Sequence, residues 1–179
     1  GLDIIKIASC SADDWPLLEK VARVNKPVVV STAGLRTDQI DALVSFFEMN
    51  RTEFGLMHCV ALYPTPDDKL QLNRIAEMRD RYRGIPIGWS THEDQDNTSA
   101  VQIAYALGAR MFERHVGLNT EKHKLNSYSS TPEKLEKWIA AFHAGRAMLG
   151  NEERPPISLE ERQTLVDLKR GTYVKRDVK

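Results

Sequence analysis

Short apolar runs alternate with helix-patterned segments along most of the chain. Leu2 to Ala8 is a mostly apolar run broken by Lys6, as expected of a strand whose faces are covered and whose end meets a site. Asp13 and Asp14 stand where an N-cap and first turn belong, and Leu17, Leu18, Val21 and Ala22 then recur at helical spacing. Lys26-Pro27 stops that helix, because proline lacks the next backbone donor. The β-branched run Val28 to Ser31 predicts a second strand, with Gly34 in the turn after it. Thr37 is placed to cap a helix with Ile40, Leu43, Val44 and Phe47 on one side.

Three more strands are predicted over Phe54 to His58, Ile85 to Ser90 and Met111 to His115. A weakly marked helix around Leu70, Ile75 and Met78 separates the first two. A helix from Ala100 to Leu107, capped by Asn97 or Thr98 and left through Gly108, separates the last two. About five strand and helix repeats with short connections predict an α/β fold, either a (β/α) barrel or an open parallel sheet.

Two of these runs end in histidine. Gly88-Trp89-Ser90-Thr91-His92 and Met111-Phe112-Glu113-Arg114-His115 each begin apolar and turn polar at the C-terminal end. A strand, helix, strand unit returns the chain to the same sheet edge, so His92 and His115 are expected to face one volume at the strand tips. Two imidazoles converging with the carboxylate of Glu113 suit a divalent metal. A single histidine there would equally cap a strand end and bond a loop; matched placement of two favours a site.

Beyond His115 a polar loop, Asn119 to Ser130, is long enough to belong to an active site. Thr131-Pro132-Glu133 starts a helix whose stripe Leu135, Trp138, Ile139 and Phe142 is core, and Gly150 ends it. Asn151 to Pro156 reads as a linker, Ser158 to Leu168 as a modest helix, and Gly171-Thr172-Tyr173-Val174-Lys175 as the start of a strand. The expected division is therefore 1–150 for the α/β body, 151–168 for linker and short helix, and 169–179 for the start of a further domain.

Charge narrows the partners. Lys+Arg and Asp+Glu each total 25 among 179 residues, so the chain has no general attraction for nucleic acid or an anionic membrane, and a bound anion needs a local site. No apolar run is long enough to span a bilayer, and a cytoplasmic protein is expected. Cys10 and Cys59 lack the spacing of a zinc knuckle or disulfide framework and read as reduced, semi-buried residues.

In order and spacing, Lys6-Ile7-Ala8-Ser9, Ser31-Thr32-Ala33-Gly34, His58-Cys59-Val60-Ala61-Leu62-Tyr63-Pro64-Thr65-Pro66, Gly88-Trp89-Ser90-Thr91-His92 and Glu113-Arg114-His115 resemble the sialic acid synthase (N-acetylneuraminate synthase) family, including its spore coat polysaccharide branch. The resemblance covers nearly the whole chain. It implies the C-terminal part, about strands 4 to 8, of a (β/α)8 TIM barrel, with residues 169–179 beginning a truncated SAF (antifreeze-like) domain. It also implies a transferase that condenses phosphoenolpyruvate with an N-acylated amino sugar, N-acetylmannosamine or a relative. The product is a nonulosonic acid, phosphate is released, and the divalent metal is Mn²⁺ or Mg²⁺.

By the same resemblance, Lys6, Ser9, Ser31 and Ser90 bind phosphoenolpyruvate, and Glu113, with Lys6, is catalytic. Tyr63 and Asn126 touch the sugar, and His92 and His115 hold the metal. A lysine point charge among hydroxyls suits a phosphate and a carboxylate. Taken singly, each serine is equally a turn residue, and Glu113 has Arg114 as an alternative partner. A homodimer through the full-length protein is implied as well.

Ser11, Thr91 and Asn126 stand where members commonly carry acids, and Ala61 replaces a polar residue. These departures point to a different sugar or lost activity, and the isolated chain is expected to be inactive. The competing readings are a catalytically inactive barrel that binds a sugar or anion, and a related phosphoenolpyruvate-dependent sugar-acid synthase.

Overall fold

A computed structural model describes residues 2–171 and 175–177. Strands β1 (Ile5–Ile7), β2 (Val28–Ser31), β3 (Phe54–Cys59), β4 (Ile87–Thr91) and β5 (Met111–Arg114) form one sheet in the order β1-β2-β3-β4-β5. Every pairing is parallel. Helices α1 (Trp15–Ala22), α2 (Thr37–Met49), α3 (Asn73–Arg81) and α4 (Ser99–Ala106) lie between successive strands, and α5 (Pro132–Leu149) and α6 (Leu159–Leu168) follow. An open doubly wound sheet reverses its strand order at a switch point. Here each repeat adds its strand on the same side, giving a curled α/β half-barrel compatible with part of a TIM barrel.

Side chains alternate across a strand, so each strand serves two surfaces. Ile7, Val28, Val30, Leu56, Ile87 and Trp89 pack with Leu18, Ile40, Leu43, Phe47, Ile75 and Val101 of the helices in one buried cluster. Burying each such side chain stabilises the fold by about 1.5–3 kcal/mol. Their strand neighbours line the other face. Val29, Gly55 and Met111 border an apolar cavity of about 530 Å³ with Ile4 and Phe54. Gly88 is needed where β4 and β5 approach, since a Cβ there would lie 2.7 Å from the Met111 carbonyl oxygen, which cannot give way.

Local chemistry decides the boundaries. The Asp14 carboxylate accepts from the Leu17 N–H at 3.2 Å and caps α1. Arg36, not Thr37, is the N-cap of α2, because the Gln39 side chain reaches back and accepts from the Arg36 N–H at 3.0 Å. At α4 the Asn97 side chain accepts from the N–H groups of Ser99 and Ala100, whereas Thr98 contributes no side-chain bond. On α5, Trp138 is buried and Leu135 and Phe142 are partly so, but Ile139 is exposed: it lies about 100° round the helix from Trp138. Cys59 is buried and Cys10 exposed, so the two do not share the semi-buried setting expected of them.

The chain divides into two compact units at Leu149 and Gly150, where Gly150 adopts a φ of 68° that suits a helix exit. In the second unit the Ser158 hydroxyl accepts from the Glu161 N–H and caps α6. The strand expected over Gly171 to Lys175 falls largely outside the described residues. Among the described residues, no helix is long and apolar enough to cross a membrane.

Candidate functional site

The C-terminal ends of β1, β2, β4 and β5 bring a cation, a carboxylate and hydroxyls together. Lys6 of β1 donates to the Ser31 hydroxyl of β2 at 2.9 Å and to its neighbour's carbonyl, Ile7 O, at 3.2 Å. Its ammonium lies 3.2 Å from Glu113 Oε2 of β5. Ser90 of β4 donates to the other oxygen, Glu113 Oε1, at 3.1 Å, as expected where Ser90 and Glu113 are register partners. Ser31 and Ser90 are buried at the base, while the charged ends of Lys6 and Glu113 remain partly open to solvent. Just outside, the Ser9 hydroxyl accepts from the Ala33 N–H at 3.0 Å. Burial pushes the Cys59 thiol up from its ordinary range, with Ser90 and Ser9 as polar neighbours, so it stays un-ionised at the base of the cradle.

A half-exposed pair such as Lys6 and Glu113 contributes about 0–1 kcal/mol. An incoming anion can therefore replace the carboxylate as partner of Lys6 at little cost.

Beside this cradle the imidazoles of His92 and His115 lie with ring centroids 5.2 Å apart. The Tyr63 ring sits 4.2 Å from that of His92, and Tyr128 lies 5.3 Å from His115 and 5.2 Å from Tyr63. A bridge between Thr65 and Glu93, with Thr65 N–H donating to His92 O at 2.8 Å, anchors the Tyr63 segment against the end of β4. His92 Nδ1 is 3.0 Å from Val60 O. A carbonyl only accepts, so Nδ1 carries the proton and Nε2 keeps its lone pair. Burial, reinforced by the neighbouring His115 ring, holds the His92 imidazole below its ordinary pKa and hence neutral at pH 7.

This donor set fits a divalent metal in kind. A neutral imidazole whose second nitrogen is tied to a carbonyl is the usual form of a histidine ligand. Among the described residues no third His, Cys, Asp or Glu completes a metal-holding group, so further positions would fall to solvent or substrate.

Of the residues singled out by sequence, Lys6, Ser31, Ser90 and Glu113 form one network, Ser9 adjoins it, and Tyr63, His92 and His115 form a second cluster. Asn126 is exposed and makes no side-chain hydrogen bond among the described residues. The loop that carries it instead delivers Tyr128, which sequence reasoning missed. An aromatic residue in a polar loop following the second histidine was the available signal.

Glu113 does not pair with Arg114, which bonds Glu93 on the other side of the strand. His58 also turns away: its Nε2 donates to Leu70 O at 2.8 Å in the helix layer. Of the four departures, Thr91 is buried with its hydroxyl unpartnered among the described residues, Ala61 is exposed, and Ser11 sits in a short turn beside Cys10.

The model of the family described as NeuB matches residues 1–154. N-acetylneuraminate-9-phosphate synthase of Drosophila melanogaster is 38% identical over 145 residues, covering 79% of this chain and 38% of that protein. Spore coat polysaccharide biosynthesis protein SpsE of Bacillus subtilis is 30% identical over 155 residues, covering 86% and 41%. The crystal structure of a Chromobacterium violaceum protein described as spore coat polysaccharide biosynthesis protein E superposes with a TM-score of 0.90 at 51% identity, covering 96% of this chain and 51% of that one. The chain thus spans about half the length of the relatives it matches.

Proposed function

The chain belongs to the NeuB family, and from that premise we propose that it is the C-terminal part, about strands 4 to 8, of the catalytic barrel of a nonulosonic acid synthase. The reaction joins phosphoenolpyruvate to an N-acylated amino sugar, N-acetylmannosamine or a relative, and releases phosphate. One observation carries this reading: a cradle of one lysine and buried hydroxyls stands directly beside two paired imidazoles at the strand tips, where barrel enzymes place their chemistry.

Lys6, Ser9, Ser31 and Ser90 hold the phosphate and carboxylate of the enol phosphate. When it enters, Lys6 exchanges Glu113 for the substrate anion, and the freed carboxylate faces the reacting carbons. The C3 carbon of phosphoenolpyruvate bonds to the sugar aldehyde carbon, water adds at C2, and the C2–O bond to phosphate breaks to leave the C2 ketone. Of the two protons of that water, one ends on the former aldehyde oxygen as the new hydroxyl and the other leaves with phosphate. Glu113 accepts a proton of that water, a task of the kind that contributes about 10²–10⁴-fold. Tyr63 and Tyr128 wall the sugar side, with Asn126 at its rim. Mn²⁺ or Mg²⁺ held by His92 and His115 would supply Lewis acidity toward the aldehyde oxygen.

Activity is assigned to the whole protein that carries this chain, acting as a homodimer, and not to the chain alone. The four departures at Ser11, Ala61, Thr91 and Asn126 support a second reading, binding without turnover. Incubation of the whole protein with phosphoenolpyruvate, Mn²⁺ and a panel of N-acylated amino sugars and their phosphates decides between them. Phosphate release with an N-acylated acid of nine-carbon backbone in the mass spectrum is the expected result. Binding of phosphoenolpyruvate without phosphate release from any sugar selects the second reading.

A further inference from the structure

Residues adjacent to the two imidazoles form a second, dry network that the proposed chemistry leaves unused. Glu93 follows His92 and Arg114 precedes His115; their side chains meet through Arg114 Nη1 and Glu93 Oε1, both buried. Trp138 of α5 donates its indole N–H to Glu93 Oε1 at 3.3 Å. Arg114 Nε donates to the Ser130 hydroxyl at 2.6 Å. Ser130 is tied in turn to the backbone around His115: its N–H donates to His115 O at 2.9 Å, and Gly117 N–H donates to Ser130 O at 3.0 Å.

We propose that the Glu93, Arg114, Ser130 and Trp138 network is a positioning clamp that sets the separation of the His92 and His115 imidazoles. Successive residues of an extended chain point to opposite faces, so the clamp grips the outer side of the two segments whose inner sides carry the rings. A side chain on either partner is rigid only if both ends are, and here the pair is closed off from water, bonded to α5 and bonded to the end of the loop that carries Tyr128. A buried ion pair is a poor source of net stability, and its best-attested use is to specify one arrangement over others. Outer partners of this kind commonly change metal affinity by about 10- to 100-fold.

The inference rests on the reading of His92 and His115 as metal ligands, and the test separates the two. Mn²⁺ alone is titrated into the whole protein, free Mn²⁺ is read by electron paramagnetic resonance, and folding is read by thermal unfolding. Wild type is expected to bind and His92→Ala to lose binding. The double variant Glu93→Gln with Arg114→Met leaves no buried unpaired charge and is expected to unfold at a higher temperature than Arg114→Met alone. Its Mn²⁺ affinity is nevertheless expected to stay about 10- to 100-fold below wild type, an effect that a merely structural pair would not produce.

Should the double variant fail to fold, Ser130→Ala and Trp138→Phe each remove one bond of the clamp and retain the packing; each is expected to weaken Mn²⁺ by at least about threefold. Folded clamp variants that bind Mn²⁺ within twofold of wild type overturn the clamp and leave the ligand reading intact. Wild type and His92→Ala behaving alike overturn the ligand reading, and the clamp with it.

Discussion

Two ion pairs arise from neighbouring residues of β5, and they differ in almost every physical respect. Glu113 reaches inward to Lys6, with side chains 39% and 33% exposed; Arg114 reaches outward to Glu93, with side chains 2% and 0% exposed. Water at the mouth screens the first pair and competes for it, so its members can part when a ligand arrives. No water competes for the second. Separating it would leave a bare charge in a dry wall, so it holds geometry instead of exchanging partners. Burial pushes the Glu93 carboxyl up, against the pull of Arg114, as expected of an acid kept away from solvent. One strand therefore supplies both a movable carboxylate and a fixed guanidinium, and the difference is solvent access, not residue type.

Stability measurements can break this contrast. Arg114→Met strands the buried Glu93 carboxylate and is expected to lower unfolding free energy by about 3–5 kcal/mol in a urea titration. Trp138→Phe keeps most of the ring volume but removes the indole donor to Glu93, for an expected loss of about 1–3 kcal/mol.

Acidification tests the neutral histidines. Burial lowers the pKa of His58 and of His92 below the ordinary 6.5. The unfolded chain then takes up protons first, so stability is complete above about pH 6.5 and falls as the pH drops below it, measurable as a declining melting temperature.

Lys6→Met is expected to change stability least, by no more than about 1 kcal/mol, because the mouth pair is solvent-screened. Calorimetric titration of the whole protein with phosphoenolpyruvate is expected to show binding lost in the same variant. If Lys6→Met proves as destabilising as Arg114→Met, the two pairs are not different in kind.

Much of this molecule was legible along the chain. The β-branched run Val28 to Ser31 and the apolar spacing in Ile40, Leu43, Val44 and Phe47 specify their elements locally, because the side-chain periods of strand and helix differ. The convergence of His92 with His115 also followed from strand order, since parallel neighbours align their ends. Other features had no local signature that decided them. Asn126 and Tyr128 stand two residues apart in one polar loop, and nothing in their spacing tells which one turns toward the imidazoles. Cys59 and His58 are adjacent, and only the pleat sends the thiol toward Ser90 while His58 bonds Leu70.

The sequence by itself determined a repeating strand and helix pattern, the polar strand ends and the residue types available to a site, because these depend on side-chain period and on chemistry carried by single residues. Only the tertiary structure decided that the strands follow one another without a switch, that Arg114 serves Glu93 instead of Glu113, and that Tyr128 joins His115. Those outcomes depend on which groups remain in contact with water once the helices close over the sheet, and residues as distant as Glu93 and Trp138 fix that together.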